Sequence, residues 1–166
     1  MPSKDVITKN IPHIEGEFWL PYEPVAKGRP RMGKWGAYTP KKTEDAEMYI
    51  RNWVAAHHTL HGPLPYPLSM DITFFCSATK AGYHVKRPDV DNFLKLLLDA
   101  LGPNNQRPGL LYLDDAQVCD IHVRKLCHPI RGIWVKWSTL PDYTPVDHPM
   151  TRELTHAGTK KASLFA

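Results

Sequence analysis

The sequence predicts a small single domain of mixed α/β (α+β) class, with a mixed β-sheet packed on two main helices. Three observations predict it. Residues 67–76, PLSMDITFFC, alternate so that Leu68, Met70, Ile72, Phe74 and Cys76 face one way, which is the period of a strand. Apolar residues recur at helical spacing in two separate stretches, 40–60 and 91–101. Strand-like stretches stand before, between and after these helices, so the two kinds of element interleave. A chain of 166 residues, 42% of them hydrophobic, suffices for one domain with its own core.

Residues 14–20, IEGEFWL, read as a first strand. The stretch VAKGRPRMGKWGAYTPKK (25–42) is rich in Gly, Pro, Lys and Arg and has little burial pattern, so a basic loop or ribbon is expected. Thr39 and Pro40 read as the N-cap and first residue of a helix. Ala46, Tyr49, Ile50, Trp53 and Val54 make that helix amphipathic through residue 60, and Gly62-Pro63 ends it. A loop, SATKAGYHVKRP, follows the strand at 67–76 and leads to the second helix, from about Asp91 to Leu101. Phe93, Leu94, Leu96, Leu97, Leu98 and Leu101 lie nearly all round it, which predicts a central, buried helix. Gly102-Pro103 stops it. Residues 110–126, LLYLDDAQVCDIHVRKL, read as a strand, an acidic break and another strand. In the second of these, Cys119, Ile121 and Val123 share one face, and Asp120, His122 and Arg124 the other. RGIWVKW (131–137) is the last strand. The domain is expected over 1–140. A polar, Pro-bearing tail over 141–166 would lie on the surface or be disordered.

The net charge of +4 and a sequence pI near 8.9 favour an anionic partner, nucleic acid first. Three cysteines, Cys76, Cys119 and Cys127, with no CxxC, exclude a disulfide framework and point to a reducing interior. The first twenty residues lack the apolar core of a signal peptide, and no apolar run approaches the ~20 residues that span a bilayer. A soluble cytoplasmic protein is therefore expected. The absence of a Walker A loop, GxGxxG and GxSxG counts against nucleotide-dependent and serine-hydrolase chemistry.

The stretch KRPDVDNFLKLLLDALG (86–102) sets two carboxylates, Asp89 and Asp91, at the mouth of the apolar helix. In an extended entry segment, residues two apart project to the same side. A second acidic pair, Asp114-Asp115, stands at the strand break. Carboxylates that converge repel unless a cation neutralises them, and hard oxygen donors suit Mg²⁺. Such a site can activate a water and stabilise a leaving oxygen in phosphodiester hydrolysis. Lys95, four residues after Asp91, shares its helix face and could steady a phosphate. Simpler roles compete with each of these. Either Asp could cap the helix, Asp91 and Lys95 could be an i,i+4 ion pair, and Asp114-Asp115 could be a turn. Neighbours in an extended chain point opposite ways, so the residues alone do not say which of Asp114 and Asp115 turns inward. Lys27, Arg29, Arg31, Lys34, Lys41 and Lys42 could track a phosphate backbone or form a solvated loop. Trp35 and Tyr38 could stack on bases or pack on their own domain. In HHTLH, His57 and His61 have zinc-like spacing around His58, but no Cys or acidic partner is near in sequence; His122 and His128 each stand near a Cys, and the zinc reading is as weak for them.

KRPDVDNFLKLLLDALG followed by LYLDDAQVCDIHVRK resembles the RusA family of Holliday junction resolvases of bacteria and their phages. VAKGRPRMGKWGAYTPKK resembles the basic segment of the Gram-positive and phage branch. The resemblance runs from about Glu17 to Trp137, and the combination DxDNxxK…DAL…LDDxQV is far more specific than any part of it. It implies a homodimer that binds four-way junction DNA by structure and cuts two strands with Mg²⁺, for which Mn²⁺ can substitute. It assigns catalysis and metal binding to Asp89, Asp91 and Asp115, and catalysis to Lys95, with Asp114 and Asn92 in support. The junction surface would be the 27–42 cations with Lys86, Arg87, Arg124 and Lys125. Paired cuts by a chain with one acidic cluster also call for a dimer. The loop PNNQRPG is longer than the tight turn the family pattern suggests, and the tail runs past its usual end. The alternatives are a junction-binding recombination accessory protein that does not cleave, and a related nuclease acting on other branched DNA.

Overall fold

The computed structural model describes residues 6–58, 62–104 and 107–143. The chain enters as β1 (Glu15–Leu20), forms a ribbon from β2 (Arg31–Gly33) and β3 (Gly36–Tyr38), and continues into α1 (Lys41–His57). Then come β4 (Leu68–Ser77), the short β5 (Gly82–Tyr83) and α2 (Val90–Leu101). A single 3₁₀ turn, Asp115–Gln117, leads into β6 (Val118–His128), and β7 (Gly132–Thr139) follows. Five strands make one mixed sheet in the order β1-β7-β4-β6-β5, and the β2–β3 ribbon stands apart from it. β4 and β6 are parallel; the other neighbours are antiparallel. No helix among the described residues is long and apolar enough to cross a membrane.

A parallel pair cannot be joined by a hairpin, and α2 supplies the crossover between β4 and β6. The alternating face of β4 is the floor of the core. Leu68, Met70, Ile72, Phe74 and Cys76 are all buried, in one cluster with Ala46, Ile50 and Val54 of α1 and Phe93, Leu96 and Leu97 of α2. Phe93 stacks on Phe74 with ring centroids 5.4 Å apart. Phe18 and Leu20 of β1 and Ile133 and Val135 of β7 extend the floor. Burial pushes the Cys76 thiol up to about 11, which keeps it a neutral packing group. All three cysteines are free thiols.

Three local expectations are corrected. Thr39 does not cap α1: Pro40 holds the cap position, and its carbonyl accepts from the amides of Thr43 (2.8 Å) and Glu44 (3.3 Å). Second, α2 is not buried all round. Phe93, Leu96, Leu97, Ala100 and Leu101 are buried, Leu94 and Leu98 are half-buried, and Asp91 and Lys95 face solvent. A helix lying on one face of a sheet covers only the side it turns to that sheet.

Third, residues 110–113 form no strand; Tyr112 makes one isolated bridge to Leu64. The apolar run LLY plugs the end of α2 instead. Leu110 and Leu111 donate to the Leu101 carbonyl (2.8 and 3.1 Å), and the Tyr112 hydroxyl donates to the Leu98 carbonyl (2.5 Å). Gly109 admits no side chain there, since a Cβ would meet the Tyr112 carbonyl. The histidines of HHTLH serve packing where they are described. His57 stacks on Trp53 and bonds its carbonyl at 2.8 Å, and His58 tilts against Phe18; His61 lies outside the described residues. Residues 144–166, most of the expected tail, also lie outside them. Asp142, at its start, accepts from the amides of Asn10 (2.9 Å) and Ile11 (3.0 Å), which holds its carboxyl below the usual range.

Further carbonyls, one in the last turn of α2 and two beyond it, are gathered by one buried side chain. Arg51 of α1 donates to the carbonyls of Ala100 (3.3 Å), Gly102 (2.8 Å) and Pro108. Arg51→Leu leaves these acceptors unpaired and is expected to lower unfolding free energy by about 2–4 kcal/mol. Urea denaturation followed by circular dichroism measures it, and an unchanged midpoint contradicts the clamp.

Candidate active site

The entry to α2 decides what Asp89 and Asp91 can do. Asp89 occupies the N-cap position in extended conformation, yet its side chain makes no capping bond. Its carboxylate is exposed and engages no described residue, so capping is not its role. Asp91 stands in the first turn, where the helix dipole favours a negative charge. It pairs with Lys95 at 3.3 Å, and both side chains are more than half exposed (58% and 62%). At that exposure the pair adds only a few tenths of a kcal/mol, so its members remain available to a ligand.

The segment that carries these acids is anchored from two sides. Lys125 of β6 donates to the carbonyls of Lys86 (2.7 Å) and Pro88 (2.6 Å). The Asn92 carbonyl accepts from the Lys27 amide (2.9 Å), which brings the basic segment beside α2. Between them lies an open hollow of about 550 Å³ lined by Arg29, Arg87, Pro88, Asp89 and Asn92. Two arginines and an uncommitted carboxylate thus share one concavity.

The second acidic pair divides its labour. Asp114 accepts from the Ala116 amide (2.9 Å) as cap of the 3₁₀ turn. Asp115 makes no such bond and is exposed. Gln117 was not foreseen and holds the turn. It is buried, accepts from the amides of Leu113 (2.8 Å) and Asp114 (2.9 Å), and donates to the carbonyls of Leu64 and Tyr66, both at 2.8 Å. The spacing Asp114-x-x-Gln117 is a capping-box signature, and that was the available signal.

The structure does not bring the two acidic sites together in one chain. The charge of Asp115 reaches Tyr112, whose hydroxyl is pushed well up by burial first and then by Asp115, Asp99 and Asp114. That hydroxyl bonds Leu98, seven residues or roughly 10 Å beyond Asp91 along α2. Accordingly the described residues contain no group of three or more His, Cys, Asp or Glu side chains able to hold a metal ion. In kind the donors fit Mg²⁺: Asp89, Asp91 and Asp115 are exposed hard-oxygen ligands that no cap consumes. In place, they are split between the two ends of α2.

Three cations expected at a phosphate surface are engaged within the fold. Lys27 pairs with Asp99, Arg124 pairs with Asp71 and lies 3.3 Å from the Thr73 hydroxyl, and Lys125 holds the carbonyls named above. Arg29, Arg31, Lys34, Lys41, Lys42, Lys86 and Arg87 remain exposed.

Gln117→Leu keeps the volume and removes four hydrogen bonds from the turn that presents Asp115. It is expected to cost about 2–4 kcal/mol. Thermal unfolding and urea midpoints report it, and wild-type values contradict the role given to Gln117.

Comparison with known proteins gives the same frame. The family model described as endodeoxyribonuclease RusA matches residues 21–136, from the end of β1 to within β7, and takes in both acidic stretches and the ribbon. A curated relative, the uncharacterized protein YqaN of Bacillus subtilis (strain 168), is 33% identical over 122 aligned residues, covering 62% of this chain and 81% of YqaN. With the match spanning most of the chain, the protein belongs to the RusA endodeoxyribonuclease family.

Proposed function

We propose that the protein is a Mg²⁺-dependent, structure-selective endodeoxyribonuclease that resolves Holliday junctions by paired nicks. The observation that carries this reading is the family match across residues 21–136, which holds DVDNFLK and LDDAQV together. Asp89, Asp91 and Asp115 are the residues that would hold Mg²⁺, or Mn²⁺ in its place. The ion supplies Lewis acidity and a polarised water at the scissile phosphate when bound. Lys95 offsets charge that develops on the phosphate, and Asp91 keeps its ammonium on the correct face of α2. Asn92 fixes the first turn of α2 through its own backbone, its amide donating to the Asp89 carbonyl (3.2 Å). The exposed cations from Arg29 to Lys42, with Lys86 and Arg87, track the DNA backbone. Three free cysteines fit work in a reducing interior.

The protein works as a homodimer in this reading, and β6 supports it. Among the described residues, β5 and His84 cover only Lys125 to Cys127 of its outer edge, so Val118 to Arg124 lies along an open edge, with Cys119, Asp120, Ile121 and His122 exposed. Antiparallel pairing of two β6 edges about Ile121 would carry Asp115 toward the far end of the second strand. That is the end where Lys125 anchors the segment of Asp89 and Asp91. Each site would then draw acids from both chains, which accounts for their separation in one.

A synthetic four-way junction tests this. Asp91→Asn and Asp115→Asn are each expected to lose cleavage at least about a hundredfold while still binding. Mixed as heterodimers, the two variants recover nicking in one strand, because one of the two shared sites has both acids intact. No recovery means that each site lies within one chain. Junction binding without cleavage by the wild type favours the accessory-protein reading. Millimolar Mg²⁺ or Ca²⁺ is expected to raise Tm by occupying the acids, an effect that EDTA reverses and Asp91→Asn reduces.

A further inference from the structure

The β2–β3 ribbon presents an apolar tip that its own domain does not cover. Trp35 is 93% exposed and Met32 81%. A tryptophan left in water contributes nothing to the core, so the fold does not explain it. The ribbon is a sheet by itself, and its turn is closed by Gly36 at φ +116°, a conformation that favours glycine. Its strands have three residues each, so the tip stands roughly 10 Å from the base. That base is fixed. The Lys27 amide bonds Asn92 (2.9 Å) and the Gly28 amide bonds the Thr43 hydroxyl (3.0 Å). The hollow that holds Asp89 begins at Arg29, so ribbon and acidic entry share one surface.

The charge around the tip selects its partner. Residues 25–42 hold six cations and no acid. Lys34 stands 5.3 Å from the centroid of the Trp35 ring. A planar apolar ring set among cations complements a polyanion that itself carries planar apolar faces, which describes DNA with its bases accessible. In linear duplex those faces are closed within the stack. At a branch point stacking is interrupted, and a base face is open at small cost.

We infer that Trp35 stacks on an exposed nucleobase at the branch point and is the element by which this chain prefers branched to linear DNA. This rests on the nuclease reading above and adds a specificity determinant to it.

The test uses the full chain in EDTA, so that binding is read without cleavage. A fluorescent base analogue is placed at the branch of a four-way junction, or in one arm as control. Wild type should change the emission of the branch probe and leave the arm probe unaltered. Trp35→Ala should abolish the branch signal and weaken junction binding about tenfold, with linear duplex binding altered less than about twofold. Trp35→Phe should keep most of both effects. A variant Trp35→Ala that retains the branch signal, or loses junction and duplex affinity equally, overturns the inference. A wild type that binds no DNA sinks the underlying reading as well, whereas a junction preference that survives Trp35→Ala removes only the role of Trp35.

Discussion

The parallel pairing of β4 with β6 is the constraint on which the rest of the molecule depends. A parallel neighbour cannot be reached by a tight turn, so the chain must cross the sheet and return to the same end. α2 is that crossing. Its start is placed near the C-terminal half of β6, where Lys125 takes the Lys86 and Pro88 carbonyls, and its end lies where β6 begins. Both acidic stretches sit at these junctions. The same topology that presents each of them on a rigid element also holds them apart.

Polar side chains at the two ends of the crossing convert this topology into a defined surface. Arg51 collects the terminal carbonyls of α2 and of the loop beyond it, and Gln117 satisfies four backbone groups under the 3₁₀ turn. Both are buried, where an unpaired backbone group is costly, so each bond constrains the loop between 102 and 117 strongly. Leu111 and Tyr112 plug its described part, 107–117, into the core. Asp115 therefore sits on a fixed turn, while its neighbour Asp114 is consumed in capping it.

Cations are divided by the same logic. Those next to a buried or half-buried acceptor became structural, as Lys27 with Asp99 and Arg124 with Asp71. Those on the ribbon, at the start of α1 and before Asp89 have no such acceptor among the described residues and are exposed. Formal charge along the chain thus overstates the positive surface. Of what remains, Arg29 and Arg87 line the hollow at the entry to α2 together with Asp89.

Periodicity by itself determined the strand at β4, the final strand, both helices and the mixed class, because a two-residue or a three-to-four-residue repeat of apolar side chains is local information. The acidic stretches, Lys95 and the basic ribbon were equally legible, since residue type and spacing mark them, and the joint pattern of the motifs pointed to the family. Tertiary structure alone decided the rest. The run at 110–113 looks like a strand but, among the described residues, has only Leu64 to bridge with, and it packs under α2 instead. Leu94 and Leu98 look like core, yet lie on flanks that the sheet does not reach. Which cations face solvent followed from acceptors 37 or more residues away in sequence. Each of these depends on what another segment brings alongside, and no local repeat carries that information.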